Sequence, residues 1–363
     1  MKVKAYIYIH DPLMLKHISA ILLFSLMQVV SFAQTGGDNV YEFLNLTHSG
    51  LISSIGGSNV SITGSNLNFA YHNPALLGSG NDKSLGLNYS NYFAGINYGL
   101  AMYSQALHKE GNIAGGITYL NYGSFTEADA SGNIVGSFTA SEFAFLAIYS
   151  FEIDSMFTVG INFKPVLSHL EKYTSFGFGL DIGASWHNPE NLISAGLVIR
   201  NIGYQITTYA GESRGKLPFE IMAGVSARLA HAPFRFSLTL RHLEKYDLTY
   251  QYPGSEEKSG SGTSEFFDNL MRHIIVGTEI IPHRNFYFSL GYNHQRRSEL
   301  KTESGAGGTG FSWGFGFNTS LLCIEFGRAS YHLAGASNHI SVIIRPDLLY
   351  KKLNNPQPSK GGS

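Results

Sequence analysis

The sequence predicts an all-β chain that closes as a transmembrane antiparallel β-barrel of about 14 strands. Three observations carry this. First, bulky apolar residues alternate with small or polar ones, as in "FGFGLDIGASWHNP" from Phe176. Successive side chains of a strand point to opposite faces, so one face there is greasy and the other polar. Second, short turns tend to alternate along the chain with longer polar links. Third, the charges inside the alternating stretches share the polar parity.

Composition agrees. The chain has 363 residues and a formal net charge of −1, with 14% charged residues, 25 Phe, 21 Tyr and 41 Gly. Near-neutral charge argues against nucleic acid as the main partner, because a phosphate-binding surface needs a basic excess. The single Cys323 excludes an internal disulfide framework and a multi-cysteine metal site, and reads as a small strand residue.

Residues 1–33 read as a secretory signal peptide, its natural start at Met14. Lys16 and His17 precede the apolar run Ile18 to Val30, and Ser31-Phe32-Ala33 offers small residues for cleavage. The run is short of the roughly 20 residues a helical span needs. Residues 34–82 follow as a lumenal or periplasmic hatch. They hold no sustained alternation, yet are too rich in Leu, Ile, Phe and Tyr for a disordered linker. Gly56-Gly57 allows a sharp turn, and Asn73-Pro74-Ala75 reads as a turn with Pro74 opening a short helix.

The barrel is expected over 83–346, with strands near 84–93, 97–108, 112–122, 139–153, 156–169, 175–187, 192–206, 218–230, 234–246, 271–281, 285–295, 308–317, 321–330 and 338–345. Those near 84, 112 and 271 alternate poorly. The clearest examples are "FEIMAGVSARL", "FRFSLTL", "NFYFSLGYN" and "FSWGFGFN", none of which has the three- and four-residue spacing of a helix. Tight turns fall at 154–155, 188–191, 231–233, 282–284 and 318–320. Longer links fall at 123–138, 207–217, 247–270, 296–307 and 331–337. Short turns at one end and long loops at the other are the habit of outer-membrane barrels. The 94–96 connection is an exception, short where a long loop is expected. Pro346 stops the last strand, and 347–363 reads as a disordered tail.

Lys164, Asp181, Arg200, Glu220, Arg228, Arg235, Arg241, Glu279 and Glu325 all fall on the polar parity and are assigned to the lumen. Lysine or arginine facing lipid at the midplane costs roughly 2–4 kcal/mol. Arg328 departs from the rule and is placed at headgroup level. A soluble sandwich is the alternative, but one core would have to hide every large aromatic. Pro165 interrupts "INFKPVL", where it removes a ladder hydrogen bond. It is either a tolerated bulge or a break in the wall that serves lateral exit. The long 247–270 link carries Tyr250, Tyr252, Glu256, Glu257, Phe266 and Phe267, a candidate partner-binding surface.

The residues also carry a resemblance. "GGDNVYEFLNL" after the signal peptide, "SIGGSNVSI" and "LNFAYHNPALL" resemble the PorQ family of the type IX secretion system of Bacteroidetes. The Asn73-Pro74-Ala75 element is similar to that of the wider FadL-like and PorV-like barrels, which have 14 strands and an amino-terminal hatch. The resemblance implies an outer-membrane protein that anchors a PorZ-like protein, beside a PorU-like sortase and a PorV-like barrel. Such a complex attaches secreted cargo to lipopolysaccharide. The alternative function is a FadL-like transporter of hydrophobic small molecules. A wide greasy tunnel fits poorly with so many lumen charges.

Nothing in the sequence points to an enzyme, a metal or a cofactor. There is no His-Glu-x-x-His motif, Walker loop or Gly-x-Ser-x-Gly elbow. Gly177, Gly179 and Gly183 lack dinucleotide spacing and read as lumen packing. His72, His187, His242 and His294 fall at strand ends or turns, where a solvated histidine is the default. A serine–histidine pair formed across the barrel would be invisible to spacing.

Overall fold

The computed structural model describes residues 39–92, 95–107, 110–211, 213–249, 262–300, 308–332, 335–348 and 350. The expected signal peptide and most of the expected tail lie outside them. Fourteen strands form one closed antiparallel barrel: β1 Ser84–Asn91, β2 Asn97–Ala106, β3 Asn112–Ala128, β4 Ile134–Glu152, β5 Phe157–Leu170, β6 Tyr173–Asn188, β7 Ile193–Thr207, β8 Glu220–Arg228, β9 Phe234–Leu240, β10 Ile274–His283, β11 Phe286–Asn293, β12 Phe311–Asn318, β13 Leu322–His332 and β14 Gly335–Ile344. Each strand pairs with its sequence neighbour, and β1 closes on β14 from Leu85↔Ile344 to Asn91↔Asn338. Closure leaves no unpaired edge, which a hydrocarbon environment demands. No helix among the described residues is long and apolar enough to cross a membrane.

Alternation sorts the two faces as the opening stretch suggests. Phe176, Ile182, Phe236, Leu238, Trp313 and Phe315 are exposed on the outside, while Asp181, Ser175, Ser237 and Ser312 are buried inside. On β2 and β4 the inner face is apolar as well: Leu100, Met102, Leu146 and Ile148 pack against Leu67, Tyr71 and Leu77 of the hatch. On β1, expected to alternate poorly, buried Ser84, Asn88 and Ser90 stand against exposed Leu87 and Tyr89, so the strand alternates.

The connections differ from expectation in four places. The 123–138 link is strand: β3 and β4 continue past a register shift at Asn121/Ser124 through Phe125↔Phe138 and Glu127↔Gly136. Gly123, at φ +88°, makes the irregularity that hid this extension. β9 ends at Leu240 rather than near 246, because His242 adopts φ +54° and turns the chain toward β8. β13 and β14 run to His332 and from Gly335, so the 331–337 link shrinks to 333–334. Connections β1–β2, β3–β4, β5–β6 and β13–β14 are therefore short at the end that carries the longer β7–β8, β9–β10 and β11–β12 loops. Finally, two of those loops contain helix: α3 Gly262–Arg272 and α4 His294–Leu300.

Residues 39–82 fold inside the barrel. Tyr41 precedes a 3₁₀ turn over Glu42–Asn45. Helix α1, Gly50–Ser54, is capped by Ser49 Oγ, which accepts from Ile52 N at 3.3 Å. Gly56 and Gly57 then turn the chain at φ +106° and +93°, which side chains rarely tolerate. Helix α2, Phe69–His72, leads into a 3₁₀ turn over Pro74–Leu76 with Pro74 at its first position. Three further clusters, around Tyr41/Phe43/Leu44, Leu51/Ile52/Ile55 and Val60/Val198/Met222, add to the lumenal core. A fully buried Leu or Ile contributes roughly 1.5–3 kcal/mol. With Leu44, Ile52, Ile55, Ile62, Leu67 and Leu77 all sealed, the segment is a fixed part of the fold.

Candidate functional site

The hatch is held to the wall by inner-face side chains and by the absence of others. Glycine lines the wall where backbone meets backbone. A Cβ on Gly196 would stand 1.8 Å from Val60 O, one on Gly160 2.4 Å from Pro74 C, and one on Gly327 2.1 Å from Gly50 O. Asn73 sits at one such contact. Its Oδ1 accepts from Ala75 N at 3.0 Å, and its Nδ2 donates to Val60 O at 2.9 Å and Ala184 O at 3.2 Å. The Asn73-Pro74-Ala75 element thus fixes its own turn and joins two hatch segments to β6.

A bulge organises the charged anchor. The β6–β7 register shifts between Leu180 and Ile182, so Arg200 and Asn201 both turn inward, Asn201 at φ +58°. Arg200 Nη2 donates to Leu44 O at 2.8 Å, and its guanidinium lies 5.6 Å from the Tyr71 ring centroid. Lys164 Nζ meets Asp181 Oδ1 at 2.6 Å and also donates to Asn201 Oδ1. Asp181 further accepts from Asn201 N at 2.9 Å and Asn162 Nδ2 at 3.1 Å. Asn201 Nδ2 reaches Asn45 Oδ1 at 2.9 Å. Alternation singles out Lys164, Asp181 and Arg200 but not Asn201; a polar Asn beside Arg200 at broken parity was the available signal.

Glu325 is the second anchor. It accepts from Ser49 Oγ and Leu51 N, each at 3.2 Å, from Asn66 Nδ2 at 2.5 Å and from Tyr287 Oη at 3.1 Å. Elsewhere the charges pair within the wall. Arg241 Nε meets Glu220 Oε1 at 2.6 Å, and Arg235 forks onto Glu279 with Nε–Oε1 at 2.6 Å. Arg228 lies at the rim, inward in parity but exposed. Arg328 faces outward and donates to Asn338 Oδ1 at 2.7 Å.

The histidines divide. His72 is fully buried in the hatch rather than solvated, and burial holds it well below its usual range. His48 is pushed down to about 3, first by burial and then by the positive field of His339 and Arg200. Both are neutral at ordinary pH. His339 lies between Ser90 Oγ at 2.9 Å and Ser337 Oγ at 2.8 Å. That is the serine–histidine pairing which spacing could not locate. All three residues are sealed and no carboxylate orients the ring, so the group holds β14 to β1 and lacks the parts of a hydrolytic triad.

Pro165 neither breaks β5 nor bulges it. Its pairing with β6 is continuous through Pro165↔Phe178. On the β4 side the register is unchanged from Ala144↔Val166 to Ala147↔Phe163, with the two rungs between them missing. The wall is thinned there along one seam only.

At the loop end, α3 presents Phe266 and Phe267, 49% and 57% exposed. Asp268 ties this helix to α4 through His294 Nε2 at 3.0 Å, and within α3 it pairs with Arg272 Nε at 2.8 Å. Tyr250, Tyr252, Glu256 and Glu257 lie outside the described residues.

No protein-family model matches this chain, and no curated protein matches it in sequence. Solved structures do resemble it. The Ralstonia pickettii toluene transporter TbuX shares 11% identity at a TM-score of 0.50, covering 83% of this chain and 98% of its own. The deltaS2 mutant of the monoaromatic hydrocarbon channel TodX shares 12% at 0.50, with the same coverages of 83% and 98%. A Pseudomonas aeruginosa FadL homologue shares 10% at 0.46, covering 82% and 98%. The chain has the fold of 14-strand FadL-type outer-membrane barrels.

Proposed function

We propose that this chain is a Sec-exported outer-membrane barrel of a Bacteroidetes-type bacterium and a non-enzymatic component of the type IX secretion system. In this reading it anchors a PorZ-like protein at the cell surface, near a PorU-like sortase and a PorV-like barrel, for cargo attachment to lipopolysaccharide. The observation that carries it is the sealed lumen. Hydrogen bonds made by Arg200 and Glu325, glycine contacts and the apolar clusters hold the hatch on several sides, so the working surface is the loop end. There α3 offers exposed Phe266 and Phe267 to a partner. The motifs "GGDNVYEFLNL" and "LNFAYHNPALL" supply the identity of the system. The test is affinity purification of a tagged barrel from its native membrane, beside a Phe266→Ser/Phe267→Ser variant. Retained surface proteins that the double variant loses support the reading. A barrel that purifies alone from cross-linked cells overturns it.

A second reading is favoured by the fold likeness to TbuX and TodX, described as a toluene transporter and a hydrocarbon channel. On it the barrel passes hydrophobic small molecules, and the hatch must shift during passage. The likeness supports this reading more directly than the first. Mass spectrometry of the purified barrel separates the two: a bound apolar solute speaks for passage, and its absence together with co-purified partners speaks for anchoring.

A further inference from the structure

Between the hatch and the inner wall, at the turn end of the barrel, lies a cavity of about 160 Å³ lined by Ile62, Thr63, His187, Ser194, Arg228 and Arg235 among others. These side chains follow from register. His187 of β6 pairs with Ser194 of β7, Ser194 with Ser226 of β8, and Arg228 of β8 with Arg235 of β9. Each is on the inner parity of its strand, so five neighbouring strands from β6 to β10 present one row of polar groups at that rim.

The row is electrically unbalanced. Arg228 and Arg235 stand directly opposite each other, and like charges at cross-strand positions destabilise a sheet. Glu279 occupies Arg235 with both oxygens, which neutralises one of the two cations. Arg228 has no carboxylate partner among the described residues. Glu190 is in the nearby β6–β7 turn but is exposed there. Lys164–Asp181 and Arg241–Glu220 are paired elsewhere in the lumen, and the Arg200 guanidinium is taken up by Leu44 O and the Tyr71 ring. Arg228 differs from these in standing beside an open recess with no carboxylate partner among the described residues.

The chemistry narrows what fills the recess. Its volume equals that of roughly five waters in the liquid, well under the ~300 Å³ at which sites for drug-sized ligands begin. A guanidinium matches phosphate or carboxylate oxygens with two parallel N–H donors. The hydroxyl of Ser226 adds a further donor, shared with Ser61 Oγ at 2.7 Å. Ser194 Oγ already donates to Ser61 O at 2.6 Å, so it stiffens the floor. A tetrahedral anion uses several donors converging from different strands better than a planar one does.

We propose that this recess is a phosphoryl-binding site, with Arg228 as the principal ligand and Ser226 and His187 beside it. The phosphoryl group is either soluble phosphate or the headgroup of a phospholipid from the adjoining leaflet. Binding places an anion between β8 and the hatch, which ties the hatch to the rim.

Isothermal titration of the detergent-purified full chain tests this, first with inorganic phosphate and then with dihexanoyl-phosphatidylglycerol below its micellar concentration. Phosphate binding is expected in the wild type, weakened about tenfold or more in Arg228→Gln, in keeping with loss of a charge-assisted pair. Arg228→Lys, which keeps the charge but not the fork, is expected to fall between them. Arg228 is a rim residue, and unchanged heat-modifiable mobility on a gel confirms that each variant is folded. Tighter binding of the lipid than of phosphate identifies a headgroup as the source; the reverse order identifies soluble phosphate. Absence of binding by both probes, or equal binding by wild type and Arg228→Gln, overturns the proposal.

Discussion

Removing the Asp181 carboxylate should destabilise the barrel more than removing the whole ion pair. At 2.6 Å, Lys164 and Asp181 attract by about 6 kcal/mol in an effective dielectric near 20. Desolvating both ions opposes this by several kcal/mol each, so the pair contributes little net stability. Asp181→Ala leaves Lys164 sealed without its counter-ion, and Asn201 N and Asn162 Nδ2 without their acceptor. Breaking one side of a buried pair costs about 3–5 kcal/mol. The double variant Lys164→Met/Asp181→Leu carries no stranded charge and should lose only the cost of the two orphaned donors, about 1–3 kcal/mol each, which the single variant bears as well. The assay is urea unfolding in detergent micelles, read from Trp186 and Trp313 fluorescence and from the shift between folded and unfolded bands. The single variant should be less stable than the double by about 2 kcal/mol or more, and the two substitutions should be strongly non-additive. A single variant within about 1 kcal/mol of wild type, or a double variant less stable than the single, would refute the assignment of these groups to a dry, mutually compensating lumen.

Gly196→Ala should release the hatch without opening the wall, because its Cβ would stand 1.8 Å from Val60 O; planar-bilayer recordings should show raised conductance from a barrel of normal gel mobility. The α3–α4 contact should be pH-sensitive. Burial pulls the Asp268 carboxyl up, but hydrogen bonds from His294 and Arg272 outweigh it and hold it below the usual carboxylate range. The contact is therefore fully present above that range and lost as pH falls through the lowered value; amide exchange across α3 should rise only on strong acidification, and a rise already at pH 6 would contradict this. Pro165→Val can add a rung where β4 and β5 lack two, so it should raise stability by about 1 kcal/mol and slow exchange at Phe145 and Leu146; a loss of stability would show that the missing rungs are imposed by curvature rather than by proline.

The strand framework was legible in the sequence wherever lipid lies on one side and small polar groups on the other. Alternation places Phe234 to Leu240 and Phe311 to Phe317 on strands, and the period of two fixes which residue faces which side. It fails where that contrast fades. In β2 and β4 the hatch makes the inner face apolar too, and the tall β3–β4 extension lies beyond the register shift at Asn121/Ser124, which interrupts the alternation before Phe125 pairs with Phe138. The short β13–β14 connection was hidden for a related reason: Gly, Ser and Ala suit a strand end as well as a loop.

By itself the sequence determined the wall: closure, inside against outside, and a lumen that receives Lys164, Asp181, Arg200 and Glu325. Period-two patterning is local, and burial on one face alone enforces it. Tertiary structure decided who meets whom across the lumen. Asn201 turns inward only because of the β6–β7 bulge, Asn73 reaches β6 only because Gly183 and Gly196 leave room, and Arg228 meets Arg235 only through the β8–β9 register. The hatch–wall contacts, such as Asn73 with Ala184 and Asn201 with Asn45, join residues far apart along the chain, and only the closing of the barrel around the hatch sets their separation in space.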